Sequence, residues 1–214
     1  ILVYAHRRYP LLRLSLKEPL FRRENFAQGL RFGLPPALQF SVTAGGNIAL
    51  QNFMNGFGSH TVAAITTAYR VDTIMLLPII NLGSAISTMV AQSKGAGEPQ
   101  RARHFWRTGA VMNLVVSLLL MAVMLLFGGK LVALFGVEAE AAAIGRRFFQ
   151  RISLFYVFFG LACSMRGTIE GTGRVVYSSA VSIAALLLRI ALSYLLAGAF
   201  LNMAIAYAEG LHWI

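Results

Sequence analysis

Three ionisable side chains stand inside long apolar runs: Arg70 and Asp72 early in residues 61–93, and Arg189 within residues 175–199. An ion is costly at membrane depth unless it is paired or solvated, so such residues mark ligand contacts, ion sites or buried pairs. Arg70 and Asp72 are two positions apart, about 200° around a helix, so they cannot pair directly and each needs its own partner or water. Tyr69 adds a hydroxyl beside them. A second set, Gln39, Thr43 and Asn47, recurs at i, i+4 and i+8. That spacing predicts a polar stripe on one helix face, which either lines a water-filled cavity or hydrogen-bonds a neighbouring helix. These seven residues are the candidate cavity-lining set, and they can bind, orient, and hold or release an ion. Equipment for bond chemistry is missing, because no histidine or paired carboxylate lies inside the runs. The four histidines (His6, His60, His104, His212) have no metal-ligand spacing. The single cysteine, Cys163, excludes a disulfide framework and reads as a small packing residue. The expectation is a non-enzyme without a cofactor.

The elements that must position these residues follow from composition. Of 214 residues, 57% are hydrophobic and 13% charged, yet the net charge is +11. A soluble domain this apolar would expose large sticky patches, and a nucleic-acid binder would show far more polar surface. Apolar and basic together predict an all-α, polytopic membrane bundle. A crossing needs about 20 apolar residues. On that measure five spans are expected, at about Leu34–Phe57, Thr61–Ser93, Thr108–Gly129, Ile144–Met165 and Val175–Ala199. The turn cluster Asn55-Gly-Phe-Gly58 separates the first two. Ile1–Ala5 reads as the end of a preceding helix, residues up to 32 as a basic connector, and Gly210–Ile214 as the start of another helix with Trp213 at an interface. The chain therefore reads as a piece of a longer one, with partial spans at its ends.

Charge gives the orientation. Seven Lys or Arg fall in residues 1–32, four in 93–107, and Arg166 and Arg174 flank a third loop on the same side. The opposite side has Lys130, Arg146 and Arg147, with Glu138, Glu140 and Glu209. Thirteen against three predicts that the basic loops are cytoplasmic, in a plasma or inner membrane. Arg146 and Arg147 can snorkel outward from the end of their span. Residues 10–33 mix leucines with arginines and read as a connector obeying topology rather than a lipid-specific site; nucleic acid is not an expected partner. Gly45-Gly46, Gly83, Gly109 and Gly160 predict close helix contact, and Pro78 predicts a kink.

An ordered run of motifs spans nearly the whole chain: Gly33-Leu-Pro35, Asn55-Gly-Phe-Gly58, Val62-Ala-Ala64, Tyr69-Arg-Val-Asp72 with Pro78, Ser87-Thr-Met-Val-Ala-Gln92, Gly95-Ala-Gly-Glu98, Arg101-Ala-Arg103, Arg166-Gly-Thr-Ile-Glu-Gly-Thr-Gly-Arg174 and Leu188-Arg-Ile190. This order resembles the multidrug and toxic compound extrusion (MATE) family. The resemblance implies the carboxy-terminal half of a twelve-helix fold, with the five spans as helices seven to eleven and the tail approaching helix twelve. It also implies a secondary antiporter that exports amphipathic, often cationic, small molecules in exchange for H⁺ or Na⁺. Its partners would be the bilayer and an amino-terminal half-bundle of the same chain. In the NorM-like branch a Glu in helix seven and an Asp in helix ten hold the cation. Those positions match Thr43 and Phe155 here, and neither is a carboxylate. Asp72 is then the intramembrane acid that remains as an ion-coupling candidate. Alternatives are a lipid-linked sugar flippase of the same superfamily, whose cavity would be more cationic, and a non-catalytic membrane subunit, which has no need of intramembrane charges.

Overall fold

In the computed structural model, residue 8 and residues 21–214 are described, and every element among them is helical. The chain divides into two compact units, Ile1–Leu34 and Pro35–Ile214, and all the candidate residues lie in the second. The segment before residue 21, which holds the Ile1–Ala5 helix end and much of the basic connector, lies outside the described residues. The helices are α1 (Arg23–Asn55), α2 (Ser59–Gly95), α3 (Pro99–Ala133), α4 (Ala139–Ile152), α5 (Tyr156–Gly171), α6 (Val175–Phe200) and α7 (Ala204–Leu211). A 3₁₀ turn at Ser153–Phe155 joins α4 to α5, and another at Leu201–Met203 joins α6 to α7.

Among the described residues, four stretches are long and apolar enough to cross a membrane: Ser59–Gly95, Pro99–Ala133, Ala139–Gly171 and Val175–Leu211. They contain the second to fifth expected spans. The first expected span is a helix, but α1 is not among the four. Gln39, Asn47, Gln51 and the proline pair Pro35-Pro36 dilute its apolar run. The expected kink residue, Pro78, lies inside a helix that continues on both sides. The turn expected at residues 55–58 is present, and Gly58 takes φ 86°, a left-handed conformation that suits glycine.

Apolar periodicity builds the core. On α4 the buried residues are Ala141, Ile144, Gly145, Phe148, Phe149 and Ile152, one stripe at helical spacing. Arg146, Arg147 and Arg151 fall on the other faces of α4, which reconciles their place in an otherwise apolar span. Ile65, Ile79 and Met124 complete the packed centre, while Leu126 (72% exposed) and Leu195 (77%) belong to the apolar outer surface that a bilayer would cover.

The closest backbone approach is between α2 and α5. A Cβ on Gly167 would collide with the carbonyl oxygen of Gly83, and one on Gly171 would lie 2.5 Å from that of Ser87. Small residues at i, i+4 spacing let the two backbones touch. The ends of the bundle alternate as hairpins require. Lys94 Nζ donates to the Thr172 carbonyl at 2.5 Å at one end, and His60 Nδ1 lies 3.4 Å from Glu138 Oε2 at the other.

Candidate functional site: a buried polar cluster and an open groove on one helix

One turn of α2 carries Tyr69, Arg70 and Asp72. Residues three apart share a helix face, so Tyr69 and Asp72 turn inward together, and the residue between them at 70 points elsewhere. The structure follows this geometry. Asp72 is 5% exposed and its Oδ1 accepts a hydrogen bond from the hydroxyl of Tyr156, a fully buried residue at the start of α5. Tyr69 Oη donates to Glu209 Oε2 at 3.2 Å and accepts from Arg189 Nη2 at 3.0 Å. Arg189 and Glu209 form a direct ion pair, with side chains 12% and 11% exposed. The Arg189 guanidinium also lies over the Tyr69 ring, 5.6 Å from its centroid. α6 and α7 bring the pair together because the chain breaks at Leu201, where φ is 50°, and folds α7 back onto α6. Trp213 follows, its ring 4.8 Å from that of Phe159, so it packs on the bundle.

Glu209 corrects the sequence reading. That reading put it with the acids of the outer loops and left Asp72 as the remaining intramembrane acid; instead Glu209 is buried and neutralises Arg189. A signal was available, since Arg189 and Glu209 are single opposite charges in successive apolar stretches. Tyr156 had no such signal.

Arg70 is exposed and has no carboxylate partner among the described residues. It lies in an open groove of about 610 Å³, which it lines with Asn55, Ser59, Val62, Thr66 and Thr67, among others. Thr66 and Thr67 precede Arg70 by four and three positions, so the two hydroxyls and the cation share one face of α2. The lining comes from α2 and the turn before it, so the groove is open along its length.

The α1 stripe divides. Successive i+4 steps advance about 40° around a helix, so the three residues drift across the surface. Gln39 is buried and its Oε1 accepts from Arg166 Nη2 at 3.3 Å. Arg166 Nε in turn donates to Glu170 Oε1 at 2.8 Å, as does the hydroxyl of Ser178. That network ties α1, α5 and α6 together. Thr43 is half-buried and donates to the Gln39 carbonyl at 2.8 Å, while Asn47 is exposed. The structure thus brings Tyr69 and Arg189 into contact, sets Asp72 against Tyr156 in the same region, and leaves Arg70, Asn47 and Gln39 in three different settings.

The sequence matches a family described as MatE over residues 35–195. It is 29% identical over 150 residues to the probable multidrug resistance protein YpnP of Bacillus subtilis, a match covering 70% of this chain and 34% of that protein. It is likewise 29% identical over 157 residues to the probable multidrug resistance protein YoeA of the same organism, covering 73% and 34%. The chain therefore spans about a third of the length of these curated relatives. Among solved structures, one described as MATE in complex with MaD5 has a similar fold, with a TM-score of 0.85 at 17% identity over 99% of this chain and 48% of that one.

Proposed function

We infer a function from one premise: the chain belongs to the MatE family, and is a multi-pass membrane protein of the multidrug and toxic compound extrusion type. Residues 33–214 act as one half-bundle of a secondary active exporter of small amphipathic compounds. An amino-terminal half-bundle closes the other side of a cavity, and the basic loops face the cytoplasm of a plasma membrane. Inward movement of H⁺ or Na⁺ drives export.

The observation that carries this reading is the pairing of ionisable groups inside helices of membrane length. Asp72 with Tyr156, and Arg189 with Glu209 and Tyr69, occupy positions where a passive anchor would hold apolar residues. A coupling site needs an acid whose protonation or ion binding biases two conformations differently. Asp72 suits that role, because its phenol partner on α5 supplies one hydrogen bond to the ionised form, so protonation changes the strength of a contact between α2 and α5.

Asp72→Asn in the full-length protein is expected to lower gradient-driven efflux of a fluorescent amphiphile by tenfold or more at unchanged membrane abundance. Normal efflux would remove Asp72 from the coupling role. Flux indifferent to imposed pH and Na⁺ gradients in the wild type would overturn the antiport reading itself.

A further inference from the structure

We propose that the groove around Arg70 is a binding site for the anionic group of an amphipathic ligand, a carboxylate or phosphate carried next to an apolar body. This rests on the exporter reading above and names the ligand class at one wall of its cavity.

An unpaired acid on this wall would favour a cationic ligand. Of the two acids buried in the membrane-spanning part, Asp72 is hydrogen-bonded by Tyr156 and Glu209 is ion-paired with Arg189 and hydrogen-bonded by Tyr69. Neither is among the residues that line the groove. The charged lining residue is Arg70, and no carboxylate among the described residues meets it. The charge on this wall therefore favours an anionic group beside the amphipathic body that the family resemblance implies.

Position and neighbours point the same way. Arg70 stands eleven residues after Ser59, the first residue of α2, so it lies about 16 Å along the helix at 1.5 Å per residue. Within an apolar helix an unpaired guanidinium is retained at a cost, unless water or a ligand anion meets it. Its planar fork matches a carboxylate or phosphate with two parallel hydrogen bonds. Thr66 and Thr67 add hydroxyl donors one turn away, and Val62 supplies apolar surface for the rest of the ligand. The anion could come from a soluble amphiphile or from a lipid headgroup, and the chemistry at Arg70 is the same for both.

The test uses the full-length protein in nanodiscs and two fluorescent probes of opposite charge, carboxyfluorescein and rhodamine 6G, followed by anisotropy. The wild type is expected to bind carboxyfluorescein, and Arg70→Gln to weaken that binding at least tenfold without weakening rhodamine 6G. Arg70→Lys should recover part of the loss, since charge is kept and the fork is not. Nanodiscs of phosphatidylcholine and of phosphatidylglycerol separate the sources. Competition that disappears in Arg70→Gln identifies the headgroup as an occupant, and equal Arg70 dependence in both lipids identifies a soluble anion. Carboxyfluorescein binding that is absent, or unchanged in Arg70→Gln, overturns the proposal, as does equal loss of both probes. A wild type that moves rhodamine 6G under an ion gradient, together with carboxyfluorescein binding unchanged in Arg70→Gln, would sink this inference and leave the exporter reading standing.

Discussion

Two neighbouring stretches of surface on α2 treat charge in opposite ways. On the inward face, Tyr69 and Asp72 lead into a cluster in which each ionised group meets a partner: Asp72 with Tyr156, Arg189 with Glu209. One residue away, Arg70 faces an open groove with hydroxyls beside it and no acid among the described residues. The difference teaches how a helix of membrane length can carry both structure and recognition. Charges at the packed interface are matched because an unpaired ion there is expensive. A charge at a groove can remain unmatched where water meets it, and the proposed site adds a ligand anion.

The contrast can be broken from the cluster side first. Arg189→Met strands the Glu209 carboxylate, and loss of one partner of a buried pair costs about 3–5 kcal/mol. The midpoint of unfolding in detergent should fall accordingly, and Arg189→Met with Glu209→Leu should recover most of the loss. A single substitution that leaves the midpoint in place would mean the pair is solvated and the cluster is not buried. Tyr156→Phe removes the hydroxyl that meets Asp72, and a buried acceptor left without its donor costs about 1–3 kcal/mol, readable in the same unfolding experiment. Gly167→Ala is a control on packing alone. Its Cβ meets the Gly83 carbonyl, which cannot rotate away, so about 1–3 kcal/mol should be lost with no charge involved. Arg70→Gln should be the mildest for stability, within about 0.5 kcal/mol, as for exposed substitutions generally. A large drop there would show that the guanidinium supports the fold.

Much of the fold was legible in the sequence, because membrane thickness fixes helix length and each loop carries its charge bias. The spans from residue 59 onward and the turn at Gly58 follow from length and breakers. Of the glycines expected at helix contacts, Gly46, Gly83, Gly109 and Gly160 meet a neighbouring helix while Gly45 faces open space, and Gly167 and Gly171 were not among them. The resemblance to MATE proteins rested on motif order and is borne out by the family match over residues 35–195. The candidate site was legible in part. Arg70 and Asp72 were separable from their spacing alone. Glu209 was missed because orientation was assigned by loop counting, and α7 folds back after Leu201 in a way no local periodicity announces. The α1 stripe was read as one face, yet a 40° drift at each i+4 step (on the order of one side-chain width) is enough to bury Gln39 and expose Asn47. Tyr156 lay beyond reach, since a tyrosine in an apolar run has the same signature whether it packs or hydrogen-bonds an acid on another helix.

This turn of α2 is proposed to separate the groups that hold the bundle from the group that meets cargo. Gradient-driven flux of carboxyfluorescein through proteoliposomes containing equal amounts of folded wild-type or Arg70→Gln full-length protein tests it most directly. Flux in the wild type should require an imposed H⁺ or Na⁺ gradient and fall at least tenfold in Arg70→Gln. Equal fluxes through the two proteins would contradict it.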